Sequence, residues 1–126
     1  RREVADAIAH AVKQVAGEVA LVGLAGAPAL EWWAGSGMPV IAEAFADRRY
    51  EADGSLRART KAGAMIEDPQ HAGRQARLIA RESKVVLDDG SVIRVQAQTI
   101  CIHSDASGSA STAEQVAAAL RVPADL

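Results

Sequence analysis

The sequence predicts an α/β fold with a parallel sheet packed against helices, and three observations carry that prediction. Helix-like and strand-like segments alternate along the 126 residues, which calls for parallel strands joined by crossovers. Glu18 to Leu24 is a short continuous apolar run of the kind found in buried strands. The composition is 49% hydrophobic, with Ala and Val dominant and only four residues that are Phe, Trp or Tyr. Small side chains of this sort suit helices lying close on a sheet.

Residues 1–126 fall in the single-domain range and suffice for one core. The formal charge of -2, with acids and bases interspersed, argues against a nucleic-acid partner, because phosphate binding needs clustered positive charge. The longest apolar run, Val19 to Leu30, is about a dozen residues broken by Gly and Pro, too short to span a membrane. Cys101 is the only cysteine, so an internal disulfide is excluded and a reducing cytoplasm is expected. The chain starts at Arg1 inside a helical pattern without a leader, and it is expected to be the second part of something longer.

Taken in order, Glu3 to Gln14 sets Val4, Ile8 and Val12 four apart with Ala5, Ala9 and Val15 beside them, which predicts a helix with this stripe inward. His10 lies off the stripe and is expected in solvent. Gly17 ends the helix, and the Glu18–Leu24 strand then runs into Ala25-Gly26-Ala27-Pro28, where Pro28 suits the first position of a second helix. Such a turn can cradle an anion, but it lacks G-x-G-x-x-G and a P-loop lysine, so tight packing is the simpler reading. Adjacent Trp32 and Trp33 point apart on that helix, one into the core and the other toward a cleft or interface. Gly35-Ser36-Gly37 and Pro39 stop it.

Val40 to Asp47 alternates as a strand, with Ile41, Glu43, Phe45 and Asp47 on one side and Val40, Ala42, Ala44 and Ala46 on the other. It opens into Asp47-Arg48-Arg49-Tyr50, as an active site at the end of a strand does. Glu43 is either a buried partner of an arginine or a catalytic group, and Asp47-Arg48 either serves a site or fixes the loop. An excursion follows, with a turn at Asp53-Gly54, and Arg57 and Arg59 two residues apart on its return limb. Arg57 and Arg49 are expected in solvent.

Asp68 caps a helix beginning at Pro69, with Ala72, Gln75, Ala76, Ile79 and Ala80 inward and His71 at the surface. Lys84–Leu87 and Val92–Val95 flank Asp88-Asp89-Gly90 as a hairpin that needs no chemistry. In Gln98 to Asp105 the polar Thr99, Cys101, His103 and Asp105 share a face. Three functional readings compete there with a structural hydrogen bond. They are a Cys101–His103 nucleophile pair, a metal site on His103 and Asp105 that needs further ligands, and acid/base work by His103 oriented by a carboxylate. The last helix carries a capping box at Ser111-Thr112-Ala113-Glu114 and an inward stripe of Ala113, Val116, Ala117 and Leu120, closed by Pro123.

Glu43-Ala44-Phe45-Ala46-Asp47-Arg48, Tyr50, Asp53-Gly54, Leu56, Arg59, Gly63-Ala64, Ile66, and later Gln98-Thr99-Ile100-Cys101-Ile102-His103 with Asp105, resemble the LamB/YcsF family, the A component of ATP-dependent 5-oxoprolinase. The resemblance runs from about Glu18 to Leu120 and differs at Ser104, where Gly is usual, and at Ala62, where Pro is usual. It implies the C-terminal half of an irregular (β/α) barrel like the polysaccharide deacetylase superfamily, with the missing N-terminal half or a second chain completing it. It also implies ATP, with magnesium, and further subunits for opening 5-oxoproline to glutamate. In that reading His103 is the acid/base, Asp105 orients it, and Glu43 positions water or the ring nitrogen. Asp47, Arg48, Tyr50 and Arg59 bind substrate, and no metal ligand set is assigned. Two alternatives remain: a non-catalytic half-barrel used for assembly, and a metal-dependent hydrolase of the deacetylase type.

Overall fold

The computed structural model describes residues 1–123. The elements, in order, are α1 (Arg2–Ala16), β1 (Leu21–Leu24), α2 (Pro28–Gly35), β2 (Val40–Phe45), α3 (Pro69–Glu82), β3 (Lys84–Val86), β4 (Val92–Arg94), β5 (Thr99–Cys101) and α4 (Ser109–Arg121). The expected strands and helices are all present, although the first strand is shorter than Glu18–Leu24. β1, β2 and β5 form a parallel sheet with β2 in the centre, and β3 and β4 form a separate antiparallel hairpin.

The two faces of the parallel sheet have different fates. Register sets Leu21 beside Val40, Gly23 beside Ala42 and Ala44 beside Ile100, and this face meets every helix. Ala5 and Ala9 of α1 and Trp33 of α2 pack with Leu21, while Ile79 of α3 packs with Ala44. Ala72 and Ala76 of α3 and Val116 of α4 pack with Ala46. The opposite face carries Val22, Ile41, Glu43, Phe45, Thr99 and Cys101, none of them fully buried by the described residues. Among the described residues the helices thus cover the parallel sheet on one side.

The first helix corrects the expected stripe. Val4 and Ile8 are 55% and 42% exposed, whereas Ala5 and Ala9 are buried. The Trp33 indole explains this, since its Nε1 donates to the Ala5 carbonyl at 2.8 Å. That bond requires the helix backbone to come close, which Ala permits and Val does not. Trp33 is the core residue of the pair, as expected, whereas Trp32, half-buried, packs against the same cluster and not into any of the cavities described. α4 likewise begins one turn before its supposed capping box, after Gly108 at φ 84°. Thr112 therefore lies inside the helix and is buried with Val116, four residues on. Asp68 caps α3 by accepting the Gln70 N–H, as the sequence indicated, but Ala80 is exposed. No helix among the described residues is long and apolar enough to cross a membrane.

Gly73 shows how closely α3 and α4 approach. A Cβ built there would stand 3.0 Å from the Gln115 carbonyl oxygen, a backbone atom that cannot swing aside. Gly73→Ala is expected to destabilise the fold. The overpacking cost of about 1–3 kcal/mol outweighs the ~1 kcal/mol that Ala contributes over Gly in a helix interior. Urea unfolding of the two proteins measures the difference, and an unchanged or raised midpoint would show that α4 yields freely.

Candidate active site

The site is built where β2 and β5 end together. Phe45 is aligned with Cys101, so two residues further on each chain brings Asp47 and His103 side by side. Asp47 Oδ2 accepts the His103 backbone N–H at 2.7 Å, and the ring Nδ1 lies 3.0 Å from Oδ1 and 3.1 Å from Oδ2. An ionised carboxylate only accepts hydrogen bonds, so this contact assigns the proton to Nδ1. Nε2 is left with its lone pair, and no described residue hydrogen-bonds to it. Phe45 stacks on the imidazole, with centroids 5.4 Å apart and planes 16° from parallel. The Asp47 side chain is 6% exposed and that of His103 20%, so the carboxylate is sheltered while the ring reaches the surface. A cavity of about 330 Å³ opens beside them, lined by Asp47, His103, Glu67, Ser107, Ser109 and Thr112 among others.

The wall of this cavity belongs to the excursion between β2 and α3, which hydrogen bonds hold to the strand end. Ile66 N–H donates to the Asp47 carbonyl at 2.8 Å, and Arg49 N–H to Ala64 at 2.9 Å. Tyr50 is buried, and its hydroxyl accepts the Phe45 N–H at 2.9 Å. Burial, more than any charge nearby, pushes its phenol above the ordinary value. Arg48 is buried too, with Nη2 donating to the Arg57 carbonyl at 2.8 Å and Nε left without a partner among the described residues. On the outer side Asp88 receives Arg49 at 2.5 Å and Arg57 at 2.7 Å. These arginines are thus engaged rather than free in solvent, and the hairpin turn fastens the excursion. The hydrogen bond from Arg57, followed by the charge of Arg49, holds the Asp88 carboxyl below its usual range. His71 is half-buried in a second cavity of about 500 Å³ with Arg49, Arg59 and Lys61. Burial, then Arg49 and Arg74, lowers its pKa.

The geometry therefore redistributes the expected roles. Asp47, not the expected Asp105, hydrogen-bonds His103. Asp105 instead pairs with Arg59 at 3.3 Å, both side chains more than half exposed. Arg48 and Tyr50 are bound to backbone within the loop. Glu43 lies on the open sheet face, aligned with Thr99, and its side chain has no hydrogen bond or ion pair among the described residues. The Cys101 thiol donates to the Ile102 carbonyl at 3.6 Å, not to His103. Burial, then Glu43 and Asp47, raises its pKa and disfavours the thiolate a nucleophile needs. Glu67, which shares the cavity, drew no attention in the sequence, and Thr112 was read there only as part of a helix cap. Nothing in their local pattern marks them, because the loop and the start of α4 bring them there.

The model of the LamB/YcsF family matches residues 1–123. The 5-oxoprolinase A component of Chloroflexus aggregans is 47% identical over 110 residues, covering 87% of this chain and 44% of that protein. The Acinetobacter baylyi protein of the same name is 40% identical over 116 residues, covering 92% and 46%. In structure, the lactam utilization protein of Thermus thermophilus superimposes with a TM-score of 0.84 at 39% identity, covering 94% of this chain and 47% of that one. The chain thus spans less than half the length of the relatives it matches.

The Asp88 bridge yields a pH test. A carboxyl whose pKa is depressed on folding contributes stability above its unfolded value, near pH 3.9, and loses it as pH falls through the lower folded value. Asp88→Asn should therefore unfold more readily than the parent at pH 7, with the gap closing below about pH 4. Thermal melts at both pH values measure it. An equal gap at both would mean that Asp88 acts through shape rather than charge.

Proposed function

Because the chain belongs to the LamB/YcsF family, we propose that it forms part of the A component of a 5-oxoprolinase, opening the 5-oxoproline lactam to glutamate with ATP and partner subunits. The observation that carries the reading is the Asp47–His103 pair at the strand ends, with Nε2 left open by the surrounding hydrogen bonds.

In this reading Nε2 takes a proton from water as the water oxygen adds to the lactam carbonyl carbon. The ring C–N bond then breaks, its electron pair stays on nitrogen, and the imidazolium returns the proton there. The carbonyl becomes the side-chain carboxylate of glutamate and the nitrogen its amine. Asp47 fixes the tautomer and offsets the charge of the imidazolium while it lasts. Phe45 keeps the ring from rotating. Glu43, unpaired on the same open face, positions water or the ring nitrogen.

Arg59 is the group suited to the substrate carboxylate. Its exposed bridge to Asp105 is worth about 0.2–1 kcal/mol, so exchanging that partner for a substrate carboxylate costs little. Asp105 then serves as its resting partner, and Arg48 and Tyr50 hold the loop.

The described residues do not fit a magnesium nucleotide. The turn before α2 offers Gly26 and backbone but no lysine, and no three His, Cys, Asp or Glu side chains among them cluster to hold a metal. We assign ATP to the partner subunits and route no step through it here. The bare sheet face and the exposed Val4, Ile8, Val15, Val19 and Val22 support a partial barrel like those of the deacetylase superfamily. A complete one takes about 250 residues, and the remainder, an N-terminal half or a second chain, would cover these surfaces. The lone cysteine suits a reducing cytoplasm.

The test is glutamate release from 5-oxoproline and ATP by the full-length chain assembled with its partner subunits. His103→Ala should lower turnover by about 10²–10⁴-fold, the range for a lost acid/base group. Asp47→Asn, which accepts more weakly and can present an N–H to the ring, should lower it less. Turnover of His103→Ala within a few-fold of the parent would remove His103 from the chemistry.

A further inference from the structure

The strand end that carries Asp47 has a problem of hydrogen bonding. Ladder pairing between β2 and β5 runs through Phe45 and Cys101, and the chain beyond turns inward over α3. The carbonyls of Phe45, Ala46 and Arg48 are thereby left facing a helix rather than a strand. Carbonyls taken out of water need donors. All three find the same one: Gln75 of α3, 5% exposed, whose Nε2 lies 2.9 Å from Phe45 O, 3.3 Å from Ala46 O and 2.8 Å from Arg48 O. Three acceptors around one nitrogen leave no doubt about which way the amide points, since the opposite flip would set oxygen against oxygen. A neutral amide is also the apt choice, because a lysine or arginine here would place a second buried cation next to Arg48.

These carbonyls bracket Asp47 on both sides. Residues 45, 46 and 48 are fixed from below by one side chain, and Tyr50 fixes the Phe45 N–H, so the peptide units around Asp47 cannot rotate. The direction of the Asp47 carboxylate then follows from α3, roughly thirty residues away along the chain. We propose that Gln75 is a positioning residue for the His103 site: by shaping the strand exit it delivers Asp47 to Nδ1 and holds the imidazole in the form whose Nε2 is free. The role rests on the reading of His103 given above, but the hydrogen bonding can be tested without turnover.

The probe is the imidazole itself. Full-length protein labelled with ¹⁵N-histidine is examined by NMR near pH 9, where an unperturbed imidazole is neutral. The His103 signals are identified by their loss in His103→Ala. In the parent, the His103 signals should report a protonated Nδ1 and a bare Nε2. Gln75→Met keeps length and removes both donors, and in it the signals should move toward the Nε2–H form that an unheld imidazole favours. In the assembled enzyme, kcat should fall about 10²-fold with KM changed less than about threefold, as for a catalytic group displaced by about 1 Å. If Gln75→Met does not fold, Gln75→Asn decides, since its amide is one methylene too short to reach the carbonyls. A folded variant of either kind that keeps the parental tautomer would overturn the proposal. Loss of the Nδ1–H form without loss of turnover would uphold the positioning and overturn the acid/base role of His103 instead.

Discussion

A parallel strand that stops inside a protein leaves backbone groups that no neighbour strand can pair, and the fold around β2 is an answer to that constraint. β1 and β5 satisfy β2 as far as Phe45. The Ala46 N–H still reaches the Cys101 carbonyl, and where the ladder lapses side chains take over: Gln75 for the carbonyls of Phe45, Ala46 and Arg48, Tyr50 for the Phe45 N–H, and Gln98, whose Oε1 accepts the Ala42 N–H at 2.8 Å. The buried carbonyls of Ala46 and Arg48 would each cost roughly 1–3 kcal/mol if left unpaired, whereas the Gln98 bond is exposed and water could replace it. The same groups that terminate the strand thereby hold the residue with chemical capacity, Asp47, in place.

Charge is divided between two tasks. On the outer side of the excursion, Asp88 with Arg49 and Arg57 forms a fastening between two loops. Asp53 and Asp89 each bend a Gly-Ser turn by accepting from the serine two residues on, at 2.9 Å from N–H and 2.6 Å from the hydroxyl. On the inner side, Asp47 meets an imidazole, and Glu43 has no hydrogen bond or ion pair among the described residues. Carboxylates bound to arginine or serine on one side, and one bound to an imidazole beside one left unpaired on the other, distinguish scaffold from site better than residue type does.

The sequence made much of this legible. Alternation in Val40–Asp47 separated the helix-covered face from the open one, and Pro28, Asp68-Pro69 and the Asp89-Gly90 turn marked element starts and bends. His103, expected as an acid/base, and Asp47, expected to bind substrate, were both named from the sequence, and the fold sets them against each other. Which carboxylate meets the ring was not, because Asp105 is nearer along the chain while Asp47 is nearer across the ladder. Val4 and Ile8 misled for a related reason: hydrophobicity ranks them above Ala5 and Ala9, but a close helix contact and an indole hydrogen bond favour the small residues. Gln75 was visible as a polar residue in an inward stripe, and its partners depended on where β2 ended.

The imidazole and its carboxylate are 56 residues apart in the chain. Neither can meet the other until the crossover through α3 and the hairpin has closed and β5 has added to the sheet, and closure of so long a loop is among the slower and costlier steps of assembly. The pair therefore carries the entropy of closing that loop, while the carbonyls that flank Asp47 are already held by α3, nearer along the chain. The Asp47–His103 pair exists only once β5 has joined the sheet.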